Sequence, residues 1–314
     1  MISSAYRLRA MLVALLVVAS GLLAGPPAQA FSAAAFPTLW QGNRGVDVQA
    51  LQYLLQARGY TSVAADGVFG SGTDSAVRAF QNARGLQPDG TAGALTWGAL
   101  VVTVRNGSTG PAVKAVQVLL NKKRSAGLAV DGVFGTGTLG AVTTFQRHAG
   151  IGDDGVVGAT TWRNLLWHYT LPSWVNLCDK DPDGNTGANW GTGSTIGQLE
   201  AAAASFAGTG QGKVPVGDIS WEHGGDIAGH ASHELGVDVD VWPIRTDNAQ
   251  CTAGRITPAS AAYDQAATRQ LVQAIRAAAP GHVVLIYFND RQLINEGLTS
   301  SYPNHDNHMH IRYK

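Results

Sequence analysis

Two short stretches hold the residues that could do chemistry. The first, Gly229 to Trp242, carries His230 and His233 three apart, then Asp238 and Asp240. The second, His305 to Tyr313, carries His305, His308 and His310. Imidazole nitrogens and carboxylate oxygens are the donors of a zinc site. A catalytic zinc takes three such ligands and keeps a fourth place for water. The metal lowers the pKa of that water to about 7 and polarises a scissile carbonyl. A base takes the proton, and an acid returns one to the leaving amine. These residue types therefore point to metal-assisted hydrolysis.

Both stretches alternate with a period of two, which predicts strands with one buried face. Val237, Val239 and Val241 fall on one side of the first, and Asp238, Asp240 and Trp242 on the other. In the second, His308, His310 and Arg312 share a face opposite Met309, Ile311 and Tyr313. Side by side, the two strands would gather the imidazoles and a carboxylate around one point. Asp238 and Asp240 are about 7 Å apart on the same strand face, so one ion does not easily take both, and spacing alone does not choose between them. A helical H-E-x-x-H site is excluded, because the position four after His233 is Val237.

Around these stretches, Ile196, Leu199, Ala203 and Phe206 predict one helix, and Ala267, Leu271, Ile275 and Ala278 another. The apolar run from His282 to Phe288 predicts a central strand. Asp179 to Asn185 reads as a solvated loop, without the bidentate Glu of an EF-hand. Arg245 and Arg312 are candidates for binding a free peptide carboxylate.

The front of the chain is duplicated. Asp66-Gly67-Val68-Phe69-Gly70 recurs 65 residues later as Asp131-Gly132-Val133-Phe134-Gly135. The same offset pairs Gln52 with Gln117, Phe80-Gln81 with Phe145-Gln146, Asp89-Gly90 with Asp154-Gly155, and Thr96-Trp97 with Thr161-Trp162. In each copy Val48, Leu51 and Leu55, or Val113, Val116 and Leu120, step at helical spacing. An Asp-Gly turn follows. Ser71 or Thr73 is placed to cap a second helix bearing Ala76, Val77 and Phe80, and a short third helix carries Trp97 and Leu100. Phe69, Phe80 and Trp97 read as core.

Residues 1–30 carry Arg7 and Arg9, an apolar run from Ala10 to Ala24 and Ala28-Gln29-Ala30, the pattern of a secretory signal cleaved after Ala30. The run is short for a membrane span, so no stable span is expected after cleavage. Cys178 and Cys251 are an even pair, compatible with one disulfide in an exported chain. Net charge is zero, with 22 basic and 22 acidic residues, and no basic-aromatic stripe suggests a nucleic-acid partner.

The D-G-x-F-G turn, the F-Q pair, the D-G turn and the T-W-x-x-L end of each copy resemble the three-helix peptidoglycan-binding domain. The resemblance implies units at 38–102 and 103–168 that hold the chain on the cell wall. The rest, 171–314, reads as one further domain, of which roughly residues 210–314 resemble the penicillin-insensitive murein endopeptidases, relatives of the LAS-type D-Ala-D-Ala carboxypeptidases and dipeptidases. Gly229 to Asp240 follows their G-H-x-S-H-x-x-G-x-D-V-D segment, and His305, His308 and His310 follow their tail. That likeness implies an α+β domain with a central antiparallel sheet and a zinc ion on His233, Asp240 and His310. It implies His308 as base, with His230 and His305 lining the site. The expected product is a secreted or periplasmic, wall-associated enzyme cutting D-amino-acid bonds in cross-links. The front modules depart from the Gram-negative endopeptidases and look more like secreted D-Ala-D-Ala carboxypeptidases, which leaves trimming of terminal D-Ala as the alternative. A wall-binding protein with a vestigial site is the non-enzymatic one.

Overall fold

The computed structural model describes residues 35–180 and 187–314. The segment expected to be a secretory signal and most of the Asp179–Asn185 loop lie outside the described residues. Among the described residues no helix is long and apolar enough to cross a membrane.

The first copy forms α1 (Val46–Ala57), α2 (Ser71–Ala83) and α3 (Ala94–Leu100). The second forms α4 (Pro111–Arg124), α5 (Thr136–His148) and α6 (Ala159–Trp167). The apolar stripes read from the sequence are buried, and Phe69, Phe80 and Trp97 are at most 1% exposed. The two copies share one core, in which α1 packs on α4. A small unit gains by this sharing, since a copy of this size buries little apolar surface by itself.

A polar device repeats four times inside that core. The buried amide of Gln52 donates to Asp66 Oδ1, Val68 O and Thr73 Oγ1, while its Oε1 accepts from Gly67 N. Gln81 does the same for the turn at Asp89, Gly90 and Thr91, and for Thr96. Gln117 and Gln146 repeat both in the second copy. Each Asp-Gly turn is thereby locked to the preceding helix with its buried groups satisfied. The expected cap on α2 is not made. Its N-cap is Gly70, with no side-chain cap bond, because Thr73 turns inward to the Gln52 amide instead.

The C-terminal part runs β1 (Leu177–Asp179), α7 (Gly193–Ala207), β2 (Val214–Val216), β3 (Asp238–Val241), α8 (Gln265–Ala278), β4 (Val283–Tyr287), α9 (Arg291–Asn295) and β5 (Met309–Tyr313). The strands order as β1-β2-β3-β5-β4. The sheet is mixed rather than purely antiparallel: β1 and β2 are parallel, and the other pairs antiparallel. The physical reason is α7, which carries the chain from the end of β1 back to the start of β2, as a parallel pair requires. The run from His282 also departs from expectation. It forms β4 at the sheet's edge rather than its centre, with Val284 53% exposed. Cys178 of β1 is disulfide-bonded to Cys251, beyond β3.

The repeats are seated on this domain. Asn43 donates to Ser194 Oγ at 2.6 Å, Arg44 to Ala278 O at 2.9 Å, and Lys122 pairs with Glu200. A Cβ at Gly45 would lie 2.1 Å from Gly193 O, so the loop before α1 rests directly on the α7 backbone.

Candidate active site

β3 and β5 lie side by side, with Asp240 opposite His310 and Asp238 opposite Arg312. Val239, Val241, Met309, Ile311 and Tyr313 fill the core beneath. Their apolar pairing fixes the register, and the register delivers the polar face. His233 arrives from the preceding loop with φ of +80°, a backbone region costly for a non-glycine residue. It is held there by bonds from its own N to Asp238 Oδ2 at 3.3 Å and between Nδ1 and Ile219 O at 2.9 Å. That backbone is not helical, in keeping with the failed H-E-x-x-H pattern.

Three donor atoms converge. His233 Nε2 is 3.2 Å from His310 Nδ1, His310 Nδ1 is 3.0 Å from Asp240 Oδ1, and His233 Nε2 is 3.4 Å from Asp240 Oδ1. The outward nitrogens set the tautomers. Ile219 O can only accept, so His233 Nδ1 carries a proton and Nε2 faces inward with a lone pair. His310 Nε2 donates to Asp238 Oδ1 at 3.0 Å, which turns Nδ1 inward. Such outer bonds are what orient metal-binding histidines. Asp238 is thus a supporting residue, clamped in turn by Arg312 at 2.7 and 3.1 Å, and Asp240 is the carboxylate that faces the imidazoles. Spacing alone left that choice open.

Electrostatics match. Burial works against charge on Asp240, but the facing imidazoles of His233 and His310 prevail and hold its carboxyl far below the usual range. Asp238 is likewise held at about 2, burial being outweighed by His310 and Arg312. Burial also opposes the charge on His310, yet the two carboxylates raise it to about 9. Holding a cation between these atoms means giving up that proton.

The remaining histidines line the same cavity of about 550 Å³. His230 Nε2 meets Asp218 Oδ2 at 3.0 Å, and its Nδ1 stands 3.8 Å from Asp240 Oδ2. One donor atom each from His230, His233 and Asp240 lies within 4.8 Å of the others, a second possible ligand set. His308 Nε2 is 3.9 Å from Asp240 Oδ2, and burial lowers its ring to about 4. His305 lies farther out, its ring 4.7 Å from that of His308 and its Nδ1 on Pro303 O. Neither arginine singled out in the sequence is available for a substrate carboxylate: Arg245 is bidentate on Asp247 and Arg312 on Asp238. Besides Arg312, the cavity is lined by Arg255, stacked 4.1 Å over the Trp242 ring. Sequence reasoning missed it because no motif marks it.

Comparison with known proteins accords with this division. A putative peptidoglycan-binding domain matches residues 44–100 and again 109–165, and penicillin-insensitive murein endopeptidase matches 184–281. The two peptidoglycan-binding matches precede the murein endopeptidase match. The endopeptidase match spans His230, His233 and Asp240 and stops short of His305, His308 and His310, which β5 brings to them. Among curated relatives, an uncharacterized protein in the bpoA1 3' region of Kitasatospora aureofaciens is 44% identical over 70 residues, 21% of this chain. The N-acetylmuramoyl-L-alanine amidase CwlM of Mycobacterium tuberculosis is 36% identical over 121 residues, 35% of this chain. The chain spans 59% and 29% of their respective lengths. Among solved structures, the SleB N-terminal domain is 44% identical, covering 21% of this chain and 93% of its own, with a TM-score of 0.20. A peptidoglycan-binding protein from Clostridioides difficile is 36% identical over 20% of this chain and 40% of its own, with a TM-score of 0.19.

Proposed function

We propose that this protein is an exported, zinc-dependent peptidoglycan hydrolase that cleaves peptide bonds in cell-wall cross-links, with the two repeats holding it on the polymer. The observation that carries this is the triangle of His233 Nε2, His310 Nδ1 and Asp240 Oδ1, with edges of 3.0 to 3.4 Å. Zinc at its usual 2.0–2.1 Å from each donor needs tetrahedral edges of about 3.3 Å. The looser set through His230 fits less closely. Zinc held there would supply an activated water and a polarised carbonyl.

The chain's own residues do the rest. His308, kept neutral by burial, presents Nε2 toward Asp240 and accepts the proton of the attacking water, then hands it to the leaving amine. His230, anchored on Asp218 through Nε2, turns Nδ1 toward the same carboxylate and lines the space where the substrate carbonyl would sit. His305, Tyr287 and Tyr302 form an aromatic wall for the stem peptide, with ring centroids 4.6 to 5.5 Å apart.

Digestion of purified muropeptides by the zinc-loaded protein tests this. Cross-linked dimers should become monomers, and Asp240→Ala should stop the conversion and lose the ion. Release of single D-Ala instead would make it a carboxypeptidase. Wild-type digestion by Asp240→Ala would sink the assignment. His310→Ala should lose zinc more completely than His230→Ala if the tighter triangle is the ligand set.

A further inference from the structure

Eight of the nine histidines gather in two places. Five line the cavity above. The other three, His148, His168 and His223, meet where the second repeat touches the endopeptidase domain. His148 ends α5 and His168 follows α6, whereas His223 belongs to the loop ahead of Gly229. One donor nitrogen from each lies within 4.8 Å of the others, and the ring centroids are 4.8 to 5.7 Å apart.

The surroundings suit a metal. His168 is 1% exposed, and its Nδ1 lies 2.7 Å from Asn164 O. That carbonyl can only accept, so Nδ1 carries the proton and Nε2 keeps its lone pair. Burial holds all three rings below their ordinary pKa, His168 at about 3, so they are neutral near pH 7. Glu222 brings Oε1 to 3.1 Å from His148 Nε2. The same carboxylate pairs with Arg124, whose Nη2 lies 3.4 Å from His148 Nδ1, and so offsets part of the positive charge beside the cluster. Trp167 lies flat on His223, with planes 3° apart.

The duplication shows that the repeat fold does not demand these residues. Sixty-five positions earlier, where the first copy matches His148, His168 and Arg124, stand Ala83, Thr103 and Gly59. The histidines occur only in the copy that meets His223.

We propose that His148, His168 and His223 hold a second divalent transition-metal ion, zinc by preference, that clamps the second repeat to the endopeptidase domain. Three imidazoles beside a carboxylate are a zinc-type donor set. Here the ligands come from two modules and lie outside the cavity, as a structural ion requires.

The test is metal counting on the full chain, stripped with chelator, reloaded with Zn²⁺ and desalted. Wild type should hold two ions, His223→Asn and His148→Gln one each, and Asp240→Ala one. The double variant Asp240→Ala/His223→Asn should hold none. Should the cavity bind no ion, wild type would hold one, lost in His223→Asn and kept in Asp240→Ala, so the two proposals fail separately. A His223→Asn protein with the wild-type count overturns the clamp. A second measurement leaves the cluster intact: one equivalent of Co²⁺ added to Asp240→Ala should give the visible absorption of tetrahedral, nitrogen-ligated cobalt. Absence of that band also overturns it.

Discussion

The two repeats are wired alike inside and used differently outside. Each locks its two Asp-Gly turns with a buried glutamine, and each ties down the end of its third helix with a cation. Arg58 donates to the carbonyls of Ala99, Leu100 and Val101, and Lys123, 65 positions on, to those of Leu166 and His168. Beyond this the copies diverge. Gly45 is pressed onto α7, but its counterpart Gly110 has open space where a Cβ would go. Lys123 pairs with Asp47 at 2.8 Å with both side chains at most 3% exposed, whereas the position matching Asp47 in the second copy is Ala112. Duplication preserved the unit, and the seams differ through changed residues, such as Asp47 against Ala112, and through new neighbours at a retained one, Gly45.

This contrast can be broken by experiment. The largest effect should come from Gly45→Ala. Its φ of +111° and ψ of −170° suit glycine alone, and the added methyl would meet Gly193 O. Strain plus overpacking should cost about 4 kcal/mol. Gly110→Ala, with the same backbone and no clash, should cost only the strain, about 1–3 kcal/mol. Equal urea midpoints for the two variants would erase the proposed seam. Next, Asp47→Ala leaves Lys123 buried without its carboxylate and should destabilise by about 3 kcal/mol, read in the same unfolding curves.

Gln52→Ala and Gln117→Ala should each cost about 2 kcal/mol by stranding buried turn groups, and by similar amounts. A large inequality would show that the copies are not internally equivalent.

The smallest effect is on acid stability. Bonds from the Val156 amide and from Gln146 hold the Asp154 carboxyl below its ordinary value. A depressed carboxyl contributes stability that is complete above the unfolded pKa near 3.9 and is lost as pH falls through the lower folded value. Asp154→Asn should therefore narrow the gap between urea midpoints at pH 5 and pH 3.

Much of this was legible in the sequence, for local reasons. The 65-residue offset revealed the repeats because a duplicated unit keeps its own contacts. Alternation in Asp238–Val241 and Met309–Tyr313 exposed the two polar faces, because a buried strand face leaves a period of two. What escaped depended on distant neighbours. Nothing in His282–Phe288 says that β4 lies at an edge, and three-residue strands such as β1 and β2 are too short to announce a parallel pair. Asp238 and Asp240 look alike until Arg312 is seen to claim one of them. The His148, His168 and His223 group joins positions up to 75 apart through a domain contact, so no local pattern could signal it.

The register between β3 and β5 has one more consequence. The contacts that seal the oily underside of the sheet are the same ones that align the histidines and carboxylates on its upper side. A single-residue deletion within Met309–Tyr313 would therefore abolish folding and chemistry in one stroke, while length changes in the preceding turn around Pro303 should leave the pairing intact. Selection on this segment acts on one trait rather than two, so variants that fold yet have lost only the alignment of the site should be scarce here.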